Sequence, residues 1–157
     1  MSVRLFAGDW NSLSTVPASF DVDLLLASET TYTEGSCRET ATLIARHLRA
    51  GRRRKGGRSG EEEEEAEKEE EDGPEGEGEG GVALVSMKRF YFGVGGGVGS
   101  FRKALEEVNT RERSEGRRDG RMYKELREVG NVLYDNGRGN IREIIKIVAL
   151  IHDVDAL

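Results

Sequence analysis

The chain has 157 residues, of which 34% are charged and 36% hydrophobic, and its formal net charge is −6. The segment from Arg49 to Gly80 carries 7 basic and 13 acidic side chains, so the rest of the chain, with 17 of each sign, is neutral. A single cysteine, Cys37, excludes an internal disulfide and a cysteine-based zinc cluster. The opening residues "MSVRLFAGDW" lack the apolar core of a signal peptide, and no uncharged run approaches the ~18 residues of a membrane span. We therefore expect a soluble intracellular protein.

The first part of the chain alternates strand-like and helix-like patterns. "SVRLF" has the pattern of a short strand, and the turn residues Gly8 and Asp9 follow it. Residues 22–27 are nearly all apolar, which is typical of a strand buried on both faces of a sheet. Ser36 and Glu39 have capping-box spacing and predict the start of a helix. Its buried face would consist of residues spaced at i, i+3, i+4 and i+7, namely Ala41, Ile44, Ala45 and Leu48.

Residues 49–80 are of low complexity. A basic cluster, "RAGRRRKGGR", precedes "EEEEEAEKEEED" and a run of Gly/Glu repeats. Such a composition cannot bury enough apolar surface to offset the entropy lost on ordering, so we predict a disordered insert at 49–80. The basic half could be a nuclear localisation signal; the alternative is a solvated connection between a helix and a strand.

The second part of the chain resumes with the strand-like run "VALVSMKRFYF". A further helix is predicted with Ser100 as its N-cap and a buried face made of Phe101, Ala104, Leu105 and Val108. "ELREVGNVLY" and "IREIIKIVAL" then flank the turn-rich "DNGRGN", which favours an antiparallel hairpin, although residues 121–134 also fit a helix. This order predicts an α/β fold in which parallel strands end in an antiparallel hairpin.

The stretch "KRFYFGVGGGVGSF", Lys88–Phe101, is rich in glycine but lacks the residue spacing of the two common phosphate-binding motifs. No Lys-Ser or Lys-Thr pair follows its last glycine, as a Walker loop requires, and the G-x-G-x-x-G spacing fails as well. Gly93 to Gly99 are instead expected to allow positive φ angles and close approach of backbones.

Three motifs together carry a family resemblance: "GDW" at 8–10, "FDVDLLLASETTY" at 20–32 and "KRFYFGVGGGV" at 88–98. They resemble the protein-histidine N-methyltransferases, which belong to the class I seven-strand S-adenosylmethionine-dependent methyltransferases and methylate a histidine of a large-subunit ribosomal protein. The resemblance implies a partial methyltransferase domain over 1–157, with S-adenosylmethionine as cofactor and a ribosomal protein as partner. It implies neither direct nucleic-acid binding nor a membrane, and it places the protein in the cytoplasm and nucleus.

The resemblance also implies roles for individual residues. The cofactor would be bound by Gly8, Asp9, Trp10 and Ser28, with Trp10 against the adenine. Glu29 and Tyr32 would be the catalytic residues, where substrate and methyl donor meet. We expect Glu29 to fix the tautomer of the substrate imidazole; a structural hydrogen bond at the strand end is its alternative role. The substrate peptide would contact Tyr91, Phe92, Gly93, Gly95, Gly96 and Gly97.

The remaining candidates for chemistry are few. His47 and His152 are too few and too far apart in sequence to predict a metal site, and His47 is expected on the helix surface. Cys37, near a helix start, could have a lowered pKa.

The sequence departs from the family pattern at one point. No glycine-rich turn after a first strand is present, and the chain begins at what resembles the third strand. We therefore expect a C-terminal half that is poorly stable or self-associating alone, with weak cofactor binding. The alternatives are a protein-lysine methyltransferase of the same fold, or a non-catalytic interaction module that acts through the charged insert.

Overall fold

The computed structural model describes residues 21–52, 80–135, 137 and 141–153. In chain order these residues form β1 (Leu24–Ser28), α1 (Glu34–His47), β2 (Ala50–Arg52), β3 (Val82–Lys88), α2 (Val98–Asp119), β4 (Tyr123–Asp135) and β5 (Ile141–His152). The strand-like run "SVRLF" and the motif Gly8–Trp10 lie outside the described residues.

The strands form one mixed sheet. β1 pairs with β3 in parallel, with Ser28 opposite Ser86. β5 runs antiparallel to both of its long neighbours, β3 and β4. The short β2 pairs with the end of β5 in parallel. The predicted fold class is confirmed: this is an α/β sheet ending in an antiparallel hairpin, consistent with part of a Rossmann-like methyltransferase fold.

The C-terminal pair is a hairpin, as the first interpretation of its sequence predicts. β4 and β5 pair from Tyr123↔His152 to Asp135↔Ile141, with a bulge between Glu128 and Gly130. The helical alternative for residues 121–134 is wrong. Its three apolar positions do not share a buried face, because Leu126 is buried whereas Met122 and Val129 are exposed.

Both helices bury the predicted faces but begin at other residues. The N-cap of α1 is Thr33, and Ser36 is its reciprocal capping-box partner rather than the cap. α2 begins at Val98 after Gly97, which has no side chain to cap the helix. Ser100 is therefore not the N-cap; its hydroxyl donates to the Gly95 carbonyl at 2.7 Å. The predicted apolar faces are buried as expected, at Ala41, Ile44, Ala45, Leu48, Phe101, Ala104, Leu105 and Val108.

The core lies on one face of the sheet, where α1 and α2 pack. β3 alternates between buried residues on this face and half-buried residues on the other. In β1, Leu24 and Leu26 are 57% and 69% exposed, whereas Ala27 is buried. The expectation that residues 22–27 are buried on both faces is therefore wrong within the described part of the chain.

The ends of the charged segment belong to the sheet. Ala50–Arg52 form β2, and the Gly81 amide donates to the Arg49 carbonyl at 2.8 Å. A Cβ at Gly80 would lie 2.8 Å from the Gly51 nitrogen, so the two ends meet closely. The predicted insert at 49–80 thus has folded ends, while residues 53–79 lie outside the described residues and their disorder stays a prediction.

His47 is buried, so its expected place on the helix surface is wrong. Val22, which precedes β1, lies beside the end of α1: it forms a bridge with Leu48 and donates its amide to the His47 carbonyl at 2.8 Å. Within the described residues, no helix has an apolar stretch long enough to cross a membrane.

Candidate functional site

The carboxyl ends of β1 and β3 bring two predicted motifs to one edge of the sheet. Because these strands are parallel and in register, the segment after Ser28 and the segment after Lys88 emerge side by side. Thr33 and Gly95 form a backbone bridge, and the Gly97 amide donates to the Thr31 carbonyl at 3.0 Å. In open α/β sheets this edge is where ligands bind.

Glu29 has a constrained backbone and a constrained side chain. Its φ of 56° is left-handed, which is uncommon for a residue other than glycine and clusters at functional sites. Its amide donates to the Ser86 carbonyl at 3.0 Å. Its Oε2 accepts a hydrogen bond of 2.9 Å from the Tyr91 hydroxyl, and its Oε1 is paired with the Arg142 guanidinium. The carboxylate is therefore held from two sides.

Tyr91 links the two segments. Its side chain is buried, and its hydroxyl also accepts from the Lys88 amide at 3.2 Å. Burial raises the pKa of the Tyr91 phenol, and its contact with Glu29 raises it further. The phenol is therefore neutral near pH 7 and donates its proton toward Glu29. The Tyr32 ring lies 4.7 Å from the Tyr91 ring, centroid to centroid, and is about half exposed.

We call Glu29, Tyr32, Tyr91 and Arg142 the strand-end cluster. The family resemblance implied catalytic roles for Glu29 and Tyr32 and substrate binding by Tyr91, and the fold brings the three side chains together. Ser28 precedes them as the last, exposed residue of β1. The predicted cofactor residues Gly8, Asp9 and Trp10 lie outside the described residues.

Arg142 is the member of the cluster that sequence reasoning missed. It is the second residue of β5 and lies opposite Lys88 at the end of β3. Since β5 runs antiparallel to β3, its first residues lie where β3 ends. The turn-rich sequence "DNGRGN" was the available signal, because it predicts where the last strand begins.

The glycine segment has the expected backbone features. Gly93, Gly95 and Gly97 have φ angles of 80°, 76° and 107°. A Cβ at Gly96 would lie 2.1 Å from the Tyr32 carbonyl oxygen, a distance no side chain could tolerate. Glycine at 96 thus lets the loop lie directly against the segment that carries Tyr32. Gly99, in the first turn of α2, has neither a positive φ nor a close neighbour.

An open cavity of about 330 Å³ borders the cluster on the Tyr91 side. Its walls are apolar and aromatic with two cations at the rim, and they consist of Lys88, Arg89, Phe90, Tyr91, Phe92, Val94 and Ile141. The Phe92 side chain is 94% exposed, and Phe90 is largely exposed. Exposed aromatic side chains of this kind are unusual on a surface without a ligand or partner.

Cys37 is not activated. Burial raises the pKa of the Cys37 thiol, so the expected lowering is wrong. The helix N-terminus cannot offset the loss of solvent around this fully buried side chain, whose sulfur donates to the Thr31 carbonyl at 3.7 Å. No group of His, Cys, Asp and Glu able to hold a metal ion occurs among the described residues.

Comparison with known proteins gives one methyltransferase match. No protein-family model matches the chain. The chain is 23% identical over 144 residues to a protein named "Histidine protein methyltransferase 1 homolog" from Dictyostelium discoideum. The match covers 92% of this chain and 32% of that protein, so the chain spans about a third of the length of its relative. The chain therefore resembles a methyltransferase in sequence as well as in fold.

Proposed function

We propose that the chain is part of an S-adenosylmethionine-dependent protein methyltransferase that modifies a histidine, with a large-subunit ribosomal protein as the substrate. The observation that supports this most is the strand-end cluster. A carboxylate held by two donors lies beside two tyrosine rings, at the sheet edge where ligands bind. The named relative supports the same reaction class.

The residues of the cluster fit a sulfonium cofactor. When bound, S-adenosylmethionine would supply a methyl group on a positively charged sulfur, which keeps the S–C bonding electrons as the methyl group leaves. The faces of the Tyr32 and Tyr91 rings are groups that stabilise a nearby cation. Ser28 offers an exposed hydroxyl at the same strand end. We keep Gly8, Asp9 and Trp10 as proposed contacts of the adenosine end.

Glu29 has the chemistry to prepare the acceptor. A neutral imidazole attacks through the nitrogen that carries no proton, while its other ring nitrogen carries one. Glu29 would accept a hydrogen bond from that N–H and so fix the tautomer. As the new N–C bond forms, the ring becomes positively charged, and Glu29 keeps its hydrogen bond to the N–H until that proton is released to solvent.

The glycine segment and the cavity would hold the substrate. Gly93 and Gly95 are exposed and leave room for a passing peptide backbone. Gly96 and Gly97 shape this loop by packing against the backbones of Tyr32 and Arg89. Phe90, Phe92 and Val94 present apolar surface for a neighbouring side chain of that peptide. Attack needs the reacting atoms within about 3–3.5 Å of each other, so positioning of this kind contributes directly to rate. We place the reaction in the cytoplasm and nucleus, where ribosomal proteins are made and assembled.

The test is methyl transfer from labelled S-adenosylmethionine to large-subunit ribosomal proteins, with the modified residue located by mass spectrometry. We expect label on a histidine, and loss of label when that histidine is replaced. Tyr32→Ala and Glu29→Gln in the methyltransferase should lower the rate by about 10²-fold or more, the range for loss of a positioned catalytic group. Glu106→Gln, an exposed change on α2, is the matched control for Glu29→Gln. Label on lysine would favour the lysine methyltransferase alternative, and undiminished transfer by both cluster variants would refute the proposed site.

A further inference from the structure

Arg142 is the residue whose position the proposed reaction does not yet explain. It reaches Glu29 from the opposite end of the described chain, and its guanidinium lies on the oxygen that Tyr91 leaves free. Glu29 is only about a quarter exposed, so its charge is partly removed from water. An ion pair here therefore affects both the direction and the charge of the carboxylate.

The charge of Glu29 is compensated within the cluster. Arg142 pairs with the carboxylate, and its register partner Lys88 has its Nζ 5.8 Å from the centre of the Tyr91 ring. The Tyr91 phenol contacts Glu29 directly, and the Tyr32 ring lies against the Tyr91 ring. Glu34, in the first turn of α1, is paired with Arg38 at 3.6 Å.

The carboxylate nevertheless keeps acceptor capacity. An ionised carboxylate offers about four lone-pair positions, and the contacts with Tyr91 and Arg142 use two of them. A further donor can therefore bind Glu29 without displacing either partner. A neutral N–H donor gains a hydrogen bond there, whereas an ammonium group also meets the repulsion of the Arg142 guanidinium.

We propose that Arg142 is a positioning residue that fixes the Glu29 carboxylate and compensates its charge, so that the site takes a neutral N–H donor such as imidazole in preference to an ammonium group. This rests on the proposed function, because it assigns the acceptor class of that same site.

Binding of two small probes to the full 157-residue chain tests the preference without methyl transfer. N-acetyl-L-histidine methylamide and N-acetyl-L-lysine methylamide are titrated at pH 8, where the imidazole is neutral and the lysine charged. Binding is followed by NMR of the tyrosine ring resonances, assigned with Tyr32→Phe and Tyr91→Phe. We expect the histidine probe to bind more tightly, and Arg142→Gln to reduce this preference about fivefold, the scale of one partly exposed charge pair.

Two further variants separate the effect of the Arg142 charge from a purely structural effect of the substitution. Arg142→Lys keeps the positive charge and should keep most of the preference for the histidine probe. Glu29→Gln should further weaken the binding of the lysine probe. Arg113→Gln is the matched control, because Arg113 also lies near a carboxylate, Glu125 at 3.9 Å, and over a tyrosine ring. A preference unchanged by Arg142→Gln, or a tighter lysine probe in the unmodified chain, would overturn the proposal.

A ligand-free measurement covers the case in which neither probe binds detectably. Glu29 raises the pKa of Tyr91, and Arg142 offsets that negative charge. Arg142→Gln should therefore shift the ultraviolet titration of Tyr91 to higher pH, with Tyr91→Phe as the reference that identifies its signal. Arg142→Lys and Arg113→Gln should leave the pH midpoint of the Tyr91 titration unchanged. Circular dichroism checks that Arg142→Gln is folded. If the titration of Tyr91 is not shifted in this folded variant, charge compensation by Arg142 is refuted, independently of the probe-binding results.

Discussion

Single residues at the sheet edge combine constraints from distant parts of the chain. Glu29 needs a left-handed backbone, a buried tyrosine from the loop after β3 and an arginine from β5. A left-handed conformation outside glycine costs of the order of 1–3 kcal/mol and persists only where surrounding contacts enforce it. Here the Ser86 carbonyl holds the Glu29 amide, and Tyr91 and Arg142 hold its carboxylate, so contacts fix both the backbone and the side chain.

Cys37 gives a prediction at this scale. Its raised pKa keeps the thiol protonated at pH 8, and its burial blocks access, so the native chain should react with a thiol reagent at least about 10²-fold more slowly than the unfolded chain. The measurement is the rate of labelling with and without denaturant. Ser114→Cys in a Cys37→Ala background gives an exposed helical thiol as the control and should react rapidly. Equal native rates for the two thiols would contradict the burial of Cys37.

Among the elements, the faces of helices were predictable and their starts were not. The i, i+3, i+4, i+7 spacing identified the buried faces of α1 and α2, because helix geometry alone fixes which residues share a side. The starts depend on loops: Thr33 is placed by its bridge to Gly95, and the Gly97 amide is bound to Thr31 before α2 begins. Arg142 was missed for a related reason, since its role depends on a register between strands far apart in sequence.

The glycine segment gives a prediction at the scale of an element. Gly96→Ala would force a methyl group into the backbone of Thr31 and Tyr32, and should lower the free energy of unfolding by roughly 1–3 kcal/mol, the usual effect of overpacking. Gly99→Ala is the matched control: it lies in helix α2 with open space around it and should raise stability by about 0.5–1 kcal/mol. Urea denaturation of both variants measures the difference. Similar stabilities would mean that the loop does not lie against the β1 segment.

For the molecule as a whole, the helices of the described residues leave one sheet face exposed. Leu24 and Leu26 of β1, Leu84 of β3 and Ile144 of β5 lie on that face. Its apolar character explains why residues 22–27 resemble a doubly buried strand in sequence. The overall composition did not predict this exposed apolar face, because the net charge of −6 comes from residues 49–80 rather than from the sheet.

The last prediction follows from that exposed face. Contiguous apolar surface on a sheet favours association, so the chain should self-associate with increasing concentration. Leu24→Lys combined with Leu26→Lys places two like charges on the face while leaving the inward residues Leu25 and Ala27 untouched, and should shift the chain toward monomer. Met122→Lys is the control, because Met122 is similarly exposed but precedes β4 and lies outside the face. Sedimentation equilibrium over a concentration series measures the effect. If the double variant and the control associate to the same extent as the unmodified chain, the sheet face is not the surface through which copies meet.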